Sequence, residues 1–227
     1  MEFWIAQIFN GISYGALLFL LAGGLSLIFG MMRIVNMTHG SHYLLAGYIG
    51  LTIIRQTGHF MLAILVGALT IALVGIGEWR TVLKRLGGQE LGQVLTTMGL
   101  ALIFQDLGLM IWGGDPYTIP TPAVLSGSYQ LGPFFFPIYR IFIIAVALGV
   151  AGILWFILEK TRVGATIRAT VDDAEMARGV GINVPRVSMG VFALGAFLAA
   201  VAGVVAGDSW GYIRGRTLKS CPTPSWW

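Results

Sequence analysis

Residues 30–48, "GMMRIVNMTHGSHYLLAGY", interrupt an oily chain with Arg33, Asn36, His39 and His42. An apolar run covering about 5–29 precedes this break, and a second covering about 41–54 follows it. Such a break is expected where one membrane span gives way to the next. The second run is short, so a tilted, broken or partly re-entrant segment is one reading of residues 30–48.

The rest of the chain supports a membrane setting. Of 227 residues, 56% are hydrophobic and 11% charged, whereas roughly a quarter are charged in an ordinary soluble domain. A soluble fold of this size has too little interior to hide that much apolar surface. A bilayer core needs about 20 mostly apolar residues per helix. Six stretches meet or approach this: 5–29, 41–54, 60–76, 91–112, 137–158 and 187–206. The expected fold is an all-α, polytopic transmembrane helical bundle with about six spans. Glu2 and the absence of Lys or Arg before the first run argue for a retained span rather than a secretory leader.

Charge placement sets the expected orientation. Arg80, Lys84 and Arg85 make one connection basic, and Lys160, Arg162, Arg168, Arg178 and Arg186 make another so. The connection "GGDPYTIPTPAVLSGSYQLGPFFF", 113–136, has neither Lys nor Arg. The N-terminus is therefore expected outside, and residues 159–187 in the cytoplasm. The alternation fails after the sixth run, where Arg214, Arg216 and Lys219 fall on the side expected to be outside. With Pro222 and Pro224 and no periodic pattern, 208–227 reads as a disordered tail beyond a transmembrane domain at 1–207.

No run of basic residues interleaved with aromatics points to nucleic acid. Cys221 is the single cysteine, so there is no internal disulfide. No nucleophile–base pair, phosphate-binding loop or metal-ligand set is evident. His39 and His42 share a helix face, but no Cys or carboxylate lies near them in sequence, so no metal is expected. The chain reads as a non-enzyme without a cofactor of its own.

Polar groups inside apolar spans are costly unless they pair or meet a cavity. Asn36 and His39 fit either a helix–helix hydrogen bond or a place along a translocation path or its gate. Arg33 reads as an interface anchor. Gln105 is a candidate for the path, and Asp106 beside it is the carboxylate of its run. Pairs of small residues, Gly11 and Gly15, Gly23 and Gly24, Gly195 and Ala199, Gly203 and Gly207, are packing signals.

Residues 159–187 are too polar to span. "TVDDAEMARGVGIN" reads as a short helix with Thr170 or Asp172 as N-cap and Arg178 in its last turn. Gly179 or Gly181 then stops it. It is either a solvated connector or a docking helix presenting Met176, Ala177 and Val180.

Four stretches, in order, carry a resemblance. "RIVNMTHGSHYLLAGY" resembles the "INFAHG…GAY" signature of LivH-type permeases of branched-chain amino acid ABC transporters. "FNGISYGALLFLLAGGLSLIFGM", "TTMGLALIFQDLGLMIWGGDP" and "TRVGATIRATVDDAEMARGVGINVPRV" resemble further segments of that family, and together they reach from Phe9 to about Gly207. The resemblance implies roles for Asn36, His39 and Gly40 in the first motif, and for Gly99, Gln105, Trp112 and Gly113 in the third. It implies that Arg168, Asp173, Ala177, Gly181 and Ile182, with Arg178 among them, belong to the helix that couples to an ATPase. Met37, Thr38, Ser41 and His42 depart from the family pattern, which argues against a shared role for His42.

The implied partners are a paralogous permease subunit, two cytoplasmic ATP-binding subunits that hold the ATP, a periplasmic substrate-binding protein and membrane lipid. The implied setting is a bacterial inner membrane, and the implied substrate is a branched-chain amino acid. Because the tail at 208–227 departs from the family, the resemblance implies a C-terminally truncated or frameshifted permease. A urea or short-chain amide permease of the same family, a nonfunctional truncated remnant, and an ATP-independent channel or carrier are the alternatives.

Overall fold

The computed structural model describes residues 2–32, 35–87, 89–113, 119, 125, 127–131 and 134–219. Arg33 and the tail residues 220–227 lie outside the described residues. Eight α-helices dominate the described residues: α1 (Glu2–Met32), α2 (Thr38–Thr57), α3 (Phe60–Glu78), α4 (Glu90–Trp112), α5 (Ile138–Lys160), α6 (Arg162–Asp172), α7 (Ala174–Gly179) and α8 (Val184–Lys219). A π-helical turn, Trp79–Leu83, extends α3. Between α4 and α5 lies a short antiparallel hairpin, β1 (Ser128–Leu131) and β2 (Phe134–Pro137).

By length and composition, 5 helical segments among the described residues can cross a membrane: Gln7–Met32, Phe60–Leu83, Glu90–Trp112, Ile138–Lys160 and Val184–Gly207. The sixth expected span is present as α2, an unbroken helix of 20 residues, but it is not among those five. Its buried positions include Thr38, His39, Ser41 and His42, which lower its apolar content while meeting neighbouring helices. Neither a break nor a re-entrant turn interrupts residues 38–57.

The membrane-length part of α8 is the centre of the bundle. It is 72% buried, against 11% for α5 and 17% for α4, so those two are peripheral. α8 packs on α1, α2 and α3. In lipid, apolar side chains gain little by leaving one oily surface for another, so close contact has to come from shape. Gly24 and Gly195 supply it where α1 crosses α8. A methyl group on Gly24 would lie 2.7 Å from the Gly195 carbonyl oxygen, and one on Gly195 would lie 2.8 Å from that of Gly24. The small-residue pairs thus divide. Gly11, Gly15 and Gly23 face open space, whereas Gly203 abuts Tyr43 and Gly207 abuts Ile119.

One end of the bundle gathers the last turn of α1, the starts of α2 and α8, and the π-helical turn. Ile28, Trp79, Leu83 and Phe192 pack there as one apolar cluster. Nearer the other end, the Tyr139 hydroxyl donates to the Val205 carbonyl at 2.6 Å, tying α5 to α8.

Candidate functional site: a polar hub at the start of α2 and the α6–α7 elbow

The first turns of α2 send side chains to three neighbouring helices. His39 Nε2 lies 2.9 Å from the Leu21 carbonyl oxygen of α1. A carbonyl only accepts, so Nε2 carries the hydrogen in this contact. Ser41 donates to the Ala101 carbonyl of α4 at 3.1 Å. His42 Nε2 meets Glu78 Oε1 at the end of α3 at 2.7 Å, with both side chains buried. The His42 ring also lies between Phe104 of α4 and Phe192 of α8, with centroids 6.1 and 6.4 Å away.

Asn36 organises the entry into this helix. Its Oδ1 accepts from the Thr38 backbone N–H at 3.0 Å and from the Thr38 hydroxyl at 2.6 Å, a side-chain turn that satisfies a helix-start N–H. The Thr38 hydroxyl oxygen is also 3.1 Å from Glu78 Oε2. One hydroxyl hydrogen cannot serve both Asn36 and Glu78. Asn36 Nδ2, His39 Nδ1 and His42 Nδ1 are buried without a hydrogen-bond partner among the described residues. Thr97 Oγ1 accepts from the Met37 N–H at 3.3 Å, which fastens the same entry to α4.

Sequence reasoning placed His42 outside the site, and the structure corrects this: it is fully buried and pairs with Glu78. The pair also corrects the reading that no carboxylate lies near the histidines. The sequence reading had not singled out Glu78, which follows the third run and lies two residues before Arg80. The π-helical turn that begins one residue later is the local feature beside it, and such turns often mark functional positions. Among the described residues, no group of three or more His, Cys, Asp and Glu side chains gathers as a metal set. Gly40 is exposed and borders open space.

Gln105 stands apart from the hub. It lines a groove of about 210 Å³ between α2 and α4, with Ser41, Leu45, Tyr48, Phe104 and Gly108. At one side of this groove Tyr48 stacks on Trp112, centroids 5.3 Å apart, and Trp112 Nε1 donates to Thr52 Oγ1 at 2.8 Å. The groove combines an apolar wall with the side-chain amide. Gly99 is exposed, and Gly113 closes α4 with its N–H on the Leu109 carbonyl at 2.9 Å.

Residues 161–183 form an elbow of two short helices rather than one. The N-cap of α7 is Asp173, not Thr170 or Asp172: those residues belong to α6. Asp173 Oδ1 accepts from the N–H groups of Glu175 and Met176, both at 2.9 Å. At the other end Gly181 takes φ +88°. Its N–H bonds the Arg178 carbonyl, and the Ile182 N–H bonds the Ala177 carbonyl. This pairing is a Schellman motif, which calls for a left-handed residue where Gly181 stands. Arg168 Nη1 donates to the Leu158 carbonyl, holding α6 on the last turn of α5. Met176 and Val180 are 69% and 77% exposed, while Ala177 is 3% exposed. Ala177 therefore seats the helix on the bundle, and the expectation that it faces a partner is corrected.

A multi-helix bundle of apolar spans, with a cluster of polar side chains between its helices and one capped surface helix outside, defines a multi-pass membrane protein. Residues 7–214 match the family described as branched-chain amino acid transport system / permease component, and the chain belongs to that family. It is similar to the high-affinity branched-chain amino acid transport system permease protein LivH of Escherichia coli K12, 27% identical over 93% of this chain and 73% of that one. The corresponding permease protein BraD of Pseudomonas aeruginosa is 26% identical over the same shares. The autoinducer 2 import system permease protein LsrC of Escherichia coli O9:H4 is 29% identical over 55% of this chain and 35% of its own length. No solved structure matches. The family is a transporter component rather than an enzyme family.

Proposed function

We propose that the chain forms half of a transmembrane pathway for branched-chain amino acids in a bacterial inner membrane. Its N-terminus lies outside and the α6–α7 elbow in the cytoplasm. The other half is a paralogous permease subunit. Two separate ATP-binding subunits hold the nucleotide, and a periplasmic binding protein delivers the substrate. The substrate assignment rests on the family and on what the LivH and BraD relatives are named for. The chain itself carries no cofactor.

The elbow is the observation that carries the mechanism. α7 is capped at both ends and presents Met176, Val180 and Arg178 outward, the composition of a small plug for a groove. Its inner face, through Ala177, is anchored to the bundle, and Gly181 and Ile182 lead directly into α8. Displacement of α7 by closing ATPases therefore reaches the central helix. From there it reaches α1 through the Gly24–Gly195 crossing and α2 through the hub. The pathway alternates its access as these helices shift. Asn36, His39 and Gly40 shape the gate, and Gln105 lies along the path. Residues Arg168, Asp173, Ala177, Arg178, Gly181 and Ile182 hold the coupling elbow in shape.

Co-purification with the ATPase subunits tests the reading. Met176→Asp and Val180→Asp together are expected to abolish recovery of the ATPase with the intact permease, while Val163→Asp on α6 leaves it unchanged. Full recovery with the double variant would rule out α7 as the docking helix.

A further inference from the structure

α4 carries two stripes. One, Gln93, Thr97, Ala101 and Gly108, is buried, and α2 receives it through Met37, Ser41 and Tyr48. The opposite stripe runs Leu95, Gly99, Leu102, Asp106, Leu109, spaced alternately by four and three residues. That spacing is the seam of two helices packed side by side. Among the described residues nothing fills the seam. Leu95, Leu102 and Leu109 are more than half exposed, and a methyl group on Gly99 would meet nothing within 4 Å.

Asp106 decides what covers it. It is exposed and forms no ion pair among the described residues. It lies six residues before Trp112, about 9 Å along the axis, inside a helix long enough to span. An ionisable group at that depth does not face hydrocarbon unpaired. The other peripheral helix, α5, offers the contrast. From Ile141 to Leu158 it has no charged, amide or hydroxyl side chain, and Leu148, Ile153 and Phe156 project outward. α5 is suited to lipid and α4 is not. A second copy related by a two-fold axis along the membrane normal would set Asp106 against Asp106, a like-charge contact.

We infer that the Leu95–Gly99–Leu102–Asp106–Leu109 face of α4 is the surface by which this chain meets a non-identical membrane subunit. The partner helix presents a cationic or hydrogen-bond-donating side chain at the depth of Asp106. The inference deepens the proposed function, because it names the face at which the permease half meets its other half.

Nitroxide labels test it. They are placed on Cys at Leu95, Leu102 or Leu109 of α4 and at Leu148 or Ile153 of α5, in a Cys221→Ser background. The chain is reconstituted in phosphatidylcholine vesicles, alone and as the complete importer. Oxygen accessibility is expected to be lost at all three α4 sites on assembly and to stay high at both α5 sites. Asp106→Lys is expected to cut recovery of the second membrane subunit by about tenfold or more, the scale of a mismatched charge at an interface, while Asp106→Asn retains most of it. Unchanged accessibility on α4 in a complex that does contain a second membrane subunit would overturn this inference alone. Dipolar broadening between Leu102 labels in the chain alone would assign the face to a second copy and also overturn it. Absence of any second membrane subunit from the purified importer would overturn the proposed function as well.

Discussion

His42 and Glu78 stand 36 positions apart in the chain, yet Nε2 of one lies 2.7 Å from Oε1 of the other in the interior of the bundle. This contact joins the first turns of α2 to the end of α3, and Thr38 and Asn36 extend it to the loop that enters α2. Removing one member of a buried pair strands the other in a medium that cannot solvate it. Glu78→Ala is therefore expected to lower stability by about 3–5 kcal/mol. Glu78→Gln still offers an acceptor to His42 and a donor to Thr38, and should fall within about 1–2 kcal/mol of wild type. Thermal unfolding of the purified chain in mild detergent measures both. Equal losses for the two variants would show that hydrogen bonding is not what the side chain contributes.

The Gly24–Gly195 crossing predicts a steric asymmetry. Gly195→Leu places atoms where Ile28 and the α1 backbone already stand, with Ile28 Cδ1 only 2.6 Å from a methyl at that site. Overpacking of this kind costs about 1–3 kcal/mol. Gly23→Leu, one residue from Gly24 but facing open space, should be nearly silent. Denaturation in mixed detergent micelles compares them, and equal effects would refute the crossing.

The α7 elbow predicts separate effects on order and on coupling. Asp173→Ala removes an acceptor from two N–H groups and should destabilise the helix by about 1 kcal/mol. Gly181→Ala forces a side chain into a left-handed backbone, at about 1 kcal/mol. Hydrogen exchange at 174–182 should accelerate in both variants. ATPase activity of the assembled importer should lose its dependence on substrate while the bundle keeps its melting temperature.

Gln105 predicts an effect on transport without one on assembly. The side chain lines the α2–α4 groove, is exposed, and makes no hydrogen bond among the described residues. Gln105→Leu should leave stability within about 0.5 kcal/mol, as for other positions without buried partners. Leucine uptake by vesicles carrying the complete importer should fall. Unaltered uptake would remove Gln105 from the path.

Much of this architecture can be read along the chain because lipid imposes a simple rule. Backbone polar groups in hydrocarbon must be satisfied within the span, so a long apolar run is a helix. The runs at 5–29, 60–76, 91–112, 137–158 and 187–206 therefore correspond within a few residues to α1, α3, α4, α5 and the Val184–Gly207 part of α8. The polarity of 159–187 likewise foretells surface helices. The assignment of the α7 cap to Asp173 depended on where α6 ended, and several Asp and Thr residues nearby can each accept from a helix start.

The hub was half legible. Asn36 and His39 stood out as polar groups in an apolar setting, whereas Glu78 carried no signal of its own and His42 looked like a departure from a motif. Apolar length, basic connections and small-residue spacing are properties of one helix at a time, and they follow from bilayer thickness and helical pitch alone. Which helix each side chain meets depends on rotation about the helix axis and on crossing depth, set jointly by all the neighbours. Only the packed bundle brought Glu78 to His42, turned Ala177 inward and left Asp106 facing out.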